Sequence, residues 1–211
     1  MDQNDEAVKK QPANFILIGA MASGKTTMGW LLSKYIGYGF VDLDQYIEKK
    51  EKTTVAEIFQ NKGESQFRKM ETTYLKELSS IRSHVFSLGG GAVIDDENWD
   101  LVCGMGEVIW LDTPPEEIAR RIVADSAELE KRPLLKEVMS EKDRSMRQKL
   151  LKERVSALIG QRLGRYREAQ IHFTDQYSTP ESSVAALKEL LCEKGYIKSA
   201  NAAPLDKWQT L

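Results

Sequence analysis

The chain has 211 residues, enough for one domain with an appendage. Thirty Lys and Arg stand against 32 Asp and Glu for a formal net charge of −2, which gives no support for a general nucleic-acid or membrane binder, since both need a basic excess. Hydrophobic residues (41%) suffice for a real core, no apolar run approaches the about 20 residues that cross a bilayer, and two cysteines, Cys103 and Cys192, are too few for a disulfide scaffold.

In chain order, residues 1–12 are polar and end in a proline, which predicts a disordered leader unlike a signal or transit peptide, and the two cysteines predict a reduced, cytoplasmic setting. Phe15-Ile-Leu-Ile18 is a short continuous apolar run, the pattern of a strand buried on both faces. After a glycine-containing turn, Met28, Leu31, Leu32, Tyr35 and Ile36 recur at helical spacing. A second strand is expected from Phe40 to Asp44. From 46 to 81 the pattern is helical in pieces, punctuated by Gly63, with Phe67, Met70, Tyr74, Leu78 and Ile81 on one stripe. Residues 85–88 and 108–111 are further strand candidates, and Pro114-Pro115 opens a helix where proline is tolerated. A long basic helix is expected from about 142 to 169, then a strand at 171–174, a helix at about 180–193 and a tail from 195 to 211. Short apolar strands alternating with helices predict a three-layer α/β domain of about five parallel strands.

The strongest chemical signal is Gly19-Ala-Met-Ala-Ser-Gly24-Lys25-Thr26, which fits the phosphate-loop pattern G-x-x-x-x-G-K-[ST]. Such a loop turns successive backbone N–H groups toward one anion, and the following helix adds its positive end. Lys25 reaches the β- and γ-phosphates, and the Thr26 hydroxyl can ligate Mg²⁺. The flanking strand and helix are the context this motif requires.

Asp42-Leu-Asp44 closes the second strand candidate, so both carboxylates are expected on one face, at the strand end where ligands of open α/β sheets bind. Asp42 is the candidate for the metal's water shell and Asp44 for orienting or deprotonating a substrate hydroxyl. The alternative is that one of the pair caps the next helix. Gly89-Gly-Gly91 follows the next strand and permits close approach of backbone to a ligand, unless it is a flexible turn. Arg162 falls on the apolar stripe Leu151, Val155, Leu158, Tyr166 and Ala169, an inward position where a guanidinium needs an anion. Arg68 has Glu71 at i+3 to fix its orientation, and Arg132 stands in Lys-Arg132-Pro-Leu-Leu135 between helices. His84 and His172 suggest structural or surface roles, Trp30, Trp99 and Trp110 core or half-buried ones, Trp208 an exposed place in the tail, and Cys103 a small core residue.

Taken in order, Gly19 to Thr27, Asp42-Leu-Asp44, Gly63-Glu-x-x-Phe67-Arg68-x-x-Glu71, Gly89-Gly-Gly91, Arg132-Pro-Leu-Leu135 and Arg162-x-x-x-Tyr166 resemble shikimate kinase over roughly residues 13–194. The resemblance implies a nucleoside-monophosphate-kinase-like P-loop fold with a five-stranded parallel sheet, and ATP- and Mg²⁺-dependent phosphorylation of the shikimate 3-hydroxyl on the way to chorismate and the aromatic amino acids. It implies that Ala22, Ser23, Gly24, Lys25, Thr26 and Thr27 bind the ATP phosphates, with Thr26 and Asp42 at the metal. Arg121 and Pro180 would flank the adenine. Asp44, with the Gly89, Gly90 and Gly91 backbone, would hold the shikimate hydroxyls, Arg68 and Arg162 would clamp its carboxylate, and Phe59 and Phe67 would wall its pocket. Arg132, on a lid at about 123–140, would stabilise charge on the transferring phosphoryl group. No nucleic-acid or membrane partner is implied, and a monomer is expected.

Three features depart from the family pattern. Ala22 stands where a glycine is usual, Phe173-Thr-Asp175 replaces the usual adenine-loop triplet, and 29 residues separate Arg132 from Arg162. The alternatives are another kinase of the same fold, such as a gluconate kinase, a nucleotide-binding module without transfer activity, and a nucleic-acid-binding helix at 142–169. The near-neutral total also conceals a separation of charge, because residues 141–168 hold nine Lys and Arg against four Asp and Glu.

Overall fold

The computed structural model describes residues 12–124, 135, 138, 143–175 and 179–198. Expectations for residues 1–11, for Arg132 and most of the lid segment, and for the tail beyond 198 lie outside them. Among the described residues five strands form one sheet: β1 (Asn14–Gly19), β2 (Gly39–Asp42), β3 (His84–Ser87), β4 (Glu107–Asp112) and β5 (Ile171–Thr174). Their spatial order is β2-β3-β1-β4-β5, and every neighbouring pair is parallel. The helices are α1 (Lys25–Ile36), α2 (Leu43–Glu51), α3 (Val55–Leu78), α4 (Asp96–Met105), α5 (Pro115–Ala124), α6 (Arg144–Tyr166) and α7 (Pro180–Glu193). This is the α/β architecture with a five-stranded parallel sheet expected above.

The continuous apolar run of β1 is explained by its central place, with β3 on one side and β4 on the other, and all six of its residues are buried. Successive strand residues alternate between the sheet's faces. Ile16, Ile18, Phe86, Val108 and Trp110 pack with Leu43 and Ile47 of α2, Phe67, Met70 and Leu75 of α3 and Val102 of α4. Phe15, Leu17, Val85, Ile109 and Leu111 pack on the other face with Met28 and Leu32 of α1 and Val184 and Leu187 of α7. A third cluster joins Ile118, Ala119 and Ile122 of α5 to Leu151 and Val155 of α6 beneath Ala20.

Most helix starts have a side-chain cap. Thr54 and Glu57 form a capping box at α3, Asp95 accepts from the Glu97 and Asn98 N–H groups at α4, and Asp143 accepts from Met146 at α6. At α7 the cap is Thr179 with Ser182, and Pro180 sits in the first turn as expected.

Three readings need correction. The second strand stops at Asp42: its carboxylate accepts from the Gln45 N–H, and α2 begins at Leu43, so Asp44 lies in a helical first turn. Leu43 is fully buried, which satisfies the apolar position between the aspartates without extending the strand. Helix α4 was not expected at all, although Asp95, Asp96 and Glu97 spell out a helix start. Trp30 is 44% exposed, with the Lys34 ammonium 5.7 Å from its ring, whereas Trp99 and Trp110 are buried. His172 is structural as expected, stacked on Trp110 at 4.3 Å and bonded to Asp112. Cys103 is only partly buried, packed against the core.

Candidate active site

The strand order determines what meets what. Because β3 lies between β2 and β1, the glycine run after β3 emerges between the aspartates that follow β2 and the phosphate loop that follows β1. In open parallel sheets the ligand crevice lies beyond these C-terminal strand ends.

The loop from Gly19 to Gly24 is wrapped on itself. Ser23 N–H donates to the Ala20 carbonyl, and Thr113, just past β4, donates its hydroxyl to the Ser23 carbonyl. Gly24 caps α1 in the left-handed conformation, and Ala22 has φ 54, a left-handed backbone held without glycine. The buried Lys25 ammonium donates to the Gly19 and Ala20 carbonyls at 3.1 and 2.6 Å. The Thr26 hydroxyl, one residue on, donates to Asp42 Oδ2 at 2.7 Å. Thr26 and Asp42, both expected at the metal, are therefore adjacent. Thr27 is exposed on the same helical turn.

The two aspartates diverge. Asp42 faces Thr26, while Asp44 turns toward the glycine run: a Cβ at Gly89 would lie 3.1 Å from Asp44 Oδ1 and 3.2 Å from Glu71 Oε1. Both of those oxygens are buried without a hydrogen-bond partner among the described residues. Burial pushes the Asp44 carboxyl up to about 6, with Asp42 adding to the rise and Lys25 and Arg68 opposing it. Burial likewise raises Glu71 to about 7 against the pull of Arg68.

Arg68 donates to Glu71 Oε2 at 2.6 Å and to Glu64 Oε1 at 2.7 Å, so carboxylates on adjacent turns of α3 hold its guanidinium. A Cβ at Gly91 would lie 2.7 Å from that guanidinium, and one at Gly90 would lie 2.9 Å from Arg162 Nη1, 2.9 Å from the Gly19 carbonyl oxygen and 3.0 Å from the Tyr166 hydroxyl. Any side chain at either position would thus fill the space between arginine and backbone. The Tyr166 hydroxyl donates to the Gly90 carbonyl at 2.7 Å and pins the run. Phe59 and Phe67 touch, with ring centroids 4.9 Å apart, and Phe67 is buried while Phe59 is half-buried.

On the far side of the loop, Arg121 donates to Glu117 at 2.7 Å, to Asp175 at 3.0 Å and to the Ala22 carbonyl at 3.4 Å. Asp175 also accepts from Ser183 on the first turns of α7, which connects Arg121 to the helix that begins at Pro180.

Of the residues singled out from the sequence, Thr26 meets Asp42, Asp44, Arg68 and Arg162 meet the three glycines, Arg68 lies over the Phe67 ring that Phe59 touches, and Lys25 bonds the Gly19 carbonyl that Gly90 approaches. Arg121 and Pro180 lie beside the loop, and Arg132 lies outside the described residues. The sequence pattern includes Glu64 and Asp175 without pairing either with an arginine, and it gives Asn98 no role. Glu64 was readable as the i,i+4 partner of Arg68. Asn98, buried and donating to the Ala92 carbonyl at 2.7 Å, braces the glycine run through the fold and left no local signal.

A model of the shikimate kinase family matches residues 21–191. A shikimate kinase from Nostoc punctiforme is 36% identical over 182 residues, which cover 86% of this chain and 92% of that protein. One from Prochlorococcus marinus is 37% identical over 190 residues, 90% of this chain and 93% of that protein. The structure of a shikimate kinase from Acinetobacter baumannii in complex with shikimate is similar with a TM-score of 0.74 at 30% identity, covering 86% of this chain and 94% of that one. A shikimate kinase from Bacteroides thetaiotaomicron gives a TM-score of 0.73 at 30% identity, covering 85% of this chain and 98% of that one.

Proposed function

The chain belongs to the shikimate kinase family, and on that premise we propose how its residues carry the family's reaction. The reaction transfers the γ-phosphoryl group of ATP to the 3-hydroxyl of shikimate, giving shikimate 3-phosphate and ADP in aromatic amino acid biosynthesis. The kinase domain spans residues 13–194.

The phosphate loop binds ATP. The stretch from Ala22 to Thr27 offers its backbone N–H groups to the phosphates, apart from the Ser23 N–H that the Ala20 carbonyl holds, and Lys25 exchanges the loop carbonyls for the β- and γ-phosphates. Arg121 and Pro180 flank the adenine. The exposed Thr26 hydroxyl and Asp42 carboxylate, 2.7 Å apart, are hard oxygen donors that fit Mg²⁺, which is usually held by one or two protein groups together with substrate phosphates. When bound there, Mg²⁺ neutralises charge on the phosphates.

Arg68 and Arg162 receive the shikimate carboxylate against the glycine run. Asp44 accepts the proton of the 3-hydroxyl as its oxygen bonds to the γ-phosphorus and the bond from phosphorus to the β-bridging oxygen breaks, releasing ADP. A carboxyl near 6 remains ionised at neutral pH and is a stronger proton acceptor than an ordinary aspartate. Arg132 is assigned by the family pattern alone to the charge on the transferring group. The observation that carries this reading is the convergence of Asp44, Arg68 and Arg162 on Gly89–Gly91, with Gly90 directly beside the Gly19 carbonyl of the phosphate loop.

The test is ADP release from ATP with and without shikimate, with gluconate as comparator. Shikimate-dependent release is expected. Release that depends on gluconate, or none with shikimate while ATP still binds, would overturn the reading.

A further inference from the structure

Helix α3 contains one residue whose backbone is not helical. Gly63 has φ 79 and ψ 167, a region essentially closed to L-residues. A Cβ built there meets none of the described residues within 4 Å, so the backbone conformation, and not lack of space, calls for glycine.

The break divides α3 into two arms with different anchors. The first arm is tied to α2: the Val55 N–H donates to Glu48 at 2.9 Å, and Lys62 bonds Glu51 at 3.1 Å. The second arm is set in the core through Phe67, Met70, Leu75 and Leu78. Residues eight apart on an unbroken helix are separated by about 12 Å along its axis. Phe59 and Phe67, one on each arm, have ring centroids only 4.9 Å apart. The second arm begins with Glu64, whose carboxylate holds one side of Arg68.

We propose that Gly63 is a positioning residue for the acid-binding half of the site: its backbone folds the first arm of α3 back so that Phe59 closes on Phe67 beside Arg68. An L-residue at 63 favours a continuous helix, which moves Phe59 away from Phe67 and strains the links to α2. The inference rests on the assignment of Phe59, Phe67 and Arg68 to shikimate. It adds to that assignment the reason that these residues face a common space.

The test compares Gly63→Ala with Gly37→Ala. Gly37 also has a positive φ (71), but in the left-handed helical region that L-residues enter at modest cost; it caps α1, and a Cβ there meets none of the described residues within 4 Å, so its substitution tests a positive-φ glycine away from the pocket under milder strain than at Gly63. Gly63→Ala is expected to raise KM for shikimate by about tenfold, since small displacements of positioning groups have effects of this order, and to leave KM for ATP within about twofold. Gly37→Ala is expected to lower Tm while leaving both KM values near wild type. The nuclear Overhauser contact between the Phe59 and Phe67 rings should be lost only in Gly63→Ala. In a Phe59→Ala background, which serves if the single variant folds poorly, Gly63→Ala should add little to KM for shikimate. A retained ring contact, an unchanged KM for shikimate, equal shifts in both KM values, or the same shikimate effect from Gly37→Ala would overturn the proposal. A wild type without shikimate-dependent turnover would overturn the functional assignment instead, and the ring contact would still decide the role of Gly63.

Discussion

The proposed nucleotide half has at its centre one stretch, residues 19–27, closed by bonds from the Ser23 N–H and the Lys25 ammonium to its own carbonyls. The half proposed to bind the acid draws Asp44 from α2, Arg68 and Glu71 from α3, the glycine run from the end of β3, and Arg162 and Tyr166 from α6. In the first half the Lys25 ammonium is bonded to the Gly19 and Ala20 carbonyls. The second half keeps Asp44 Oδ1 and Glu71 Oε1 buried without partners among the described residues. A buried charge without a full set of hydrogen bonds is destabilising. The acid-binding half therefore gives up stability through buried carboxylates, whereas the nucleotide half does so in its backbone, in the left-handed Ala22 and an α1 start without a side-chain cap.

That contrast can be broken at several points. The largest effect is expected from Asp44→Asn, which should lower kcat by about a thousandfold, within the range of general-base contributions, while calorimetry shows ATP affinity near wild type. A parallel loss of ATP binding would mean that the halves are not separable. Next, Arg68→Ala should raise KM for shikimate by about a hundredfold, because it leaves Glu71 buried and unpaired as well as removing a clamp, with KM for ATP unchanged in the same kinetics.

A smaller effect concerns pH. Both Asp44 and Glu71 have folded-state values raised above their usual ones. As pH rises above about 4 the unfolded chain loses these protons first, so the folded protein binds more protons and its stability falls until the folded groups also ionise. Urea denaturation of the unliganded protein should show stability declining from about pH 4 to 7, with Asp44→Asn recovering about 2 kcal/mol at pH 7. A flat profile, or a less stable Asp44→Asn protein, would contradict the assigned burden. The smallest effect is expected from Asp175→Ala, which removes one of the three groups that hold Arg121: KM for ATP should rise by about tenfold and KM for shikimate should not move.

The same contrast explains what was legible in the sequence. The nucleotide half could be read because its signal is local: an apolar run, glycines at fixed spacing, then Lys25-Thr26 at a helix start. The parallel five-stranded sheet was also legible, since each strand is a short apolar run followed by a helical pattern. The acid-binding half came through resemblance and through separate residues of ambiguous meaning, because its meeting point depends on β3 lying between β2 and β1. The Asp42–Asp44 error was local, for strand alternation and a helix cap produce the same polar-apolar-polar triplet. The capping alternative proved correct for Asp42, which caps α2 while its other oxygen holds Thr26. Helix α4 was missed because Gly104 and Gly106 weaken its pattern, despite the acidic start. The left-handed backbone at Ala22 had no sequence signal, since alanine there hides the conformation that a glycine would have announced.

The central claim is that Arg68 and Arg162 read the carboxylate of the acceptor. It is tested most directly by kcat/KM for shikimate against its methyl ester, in wild type and in Arg68→Ala. Wild type should favour the acid by about a hundredfold, the scale of charge-assisted bonds to a carboxylate, and Arg68→Ala should lose most of that preference. A wild type that uses acid and ester equally, or an Arg68→Ala protein that discriminates as strongly as wild type, would contradict it.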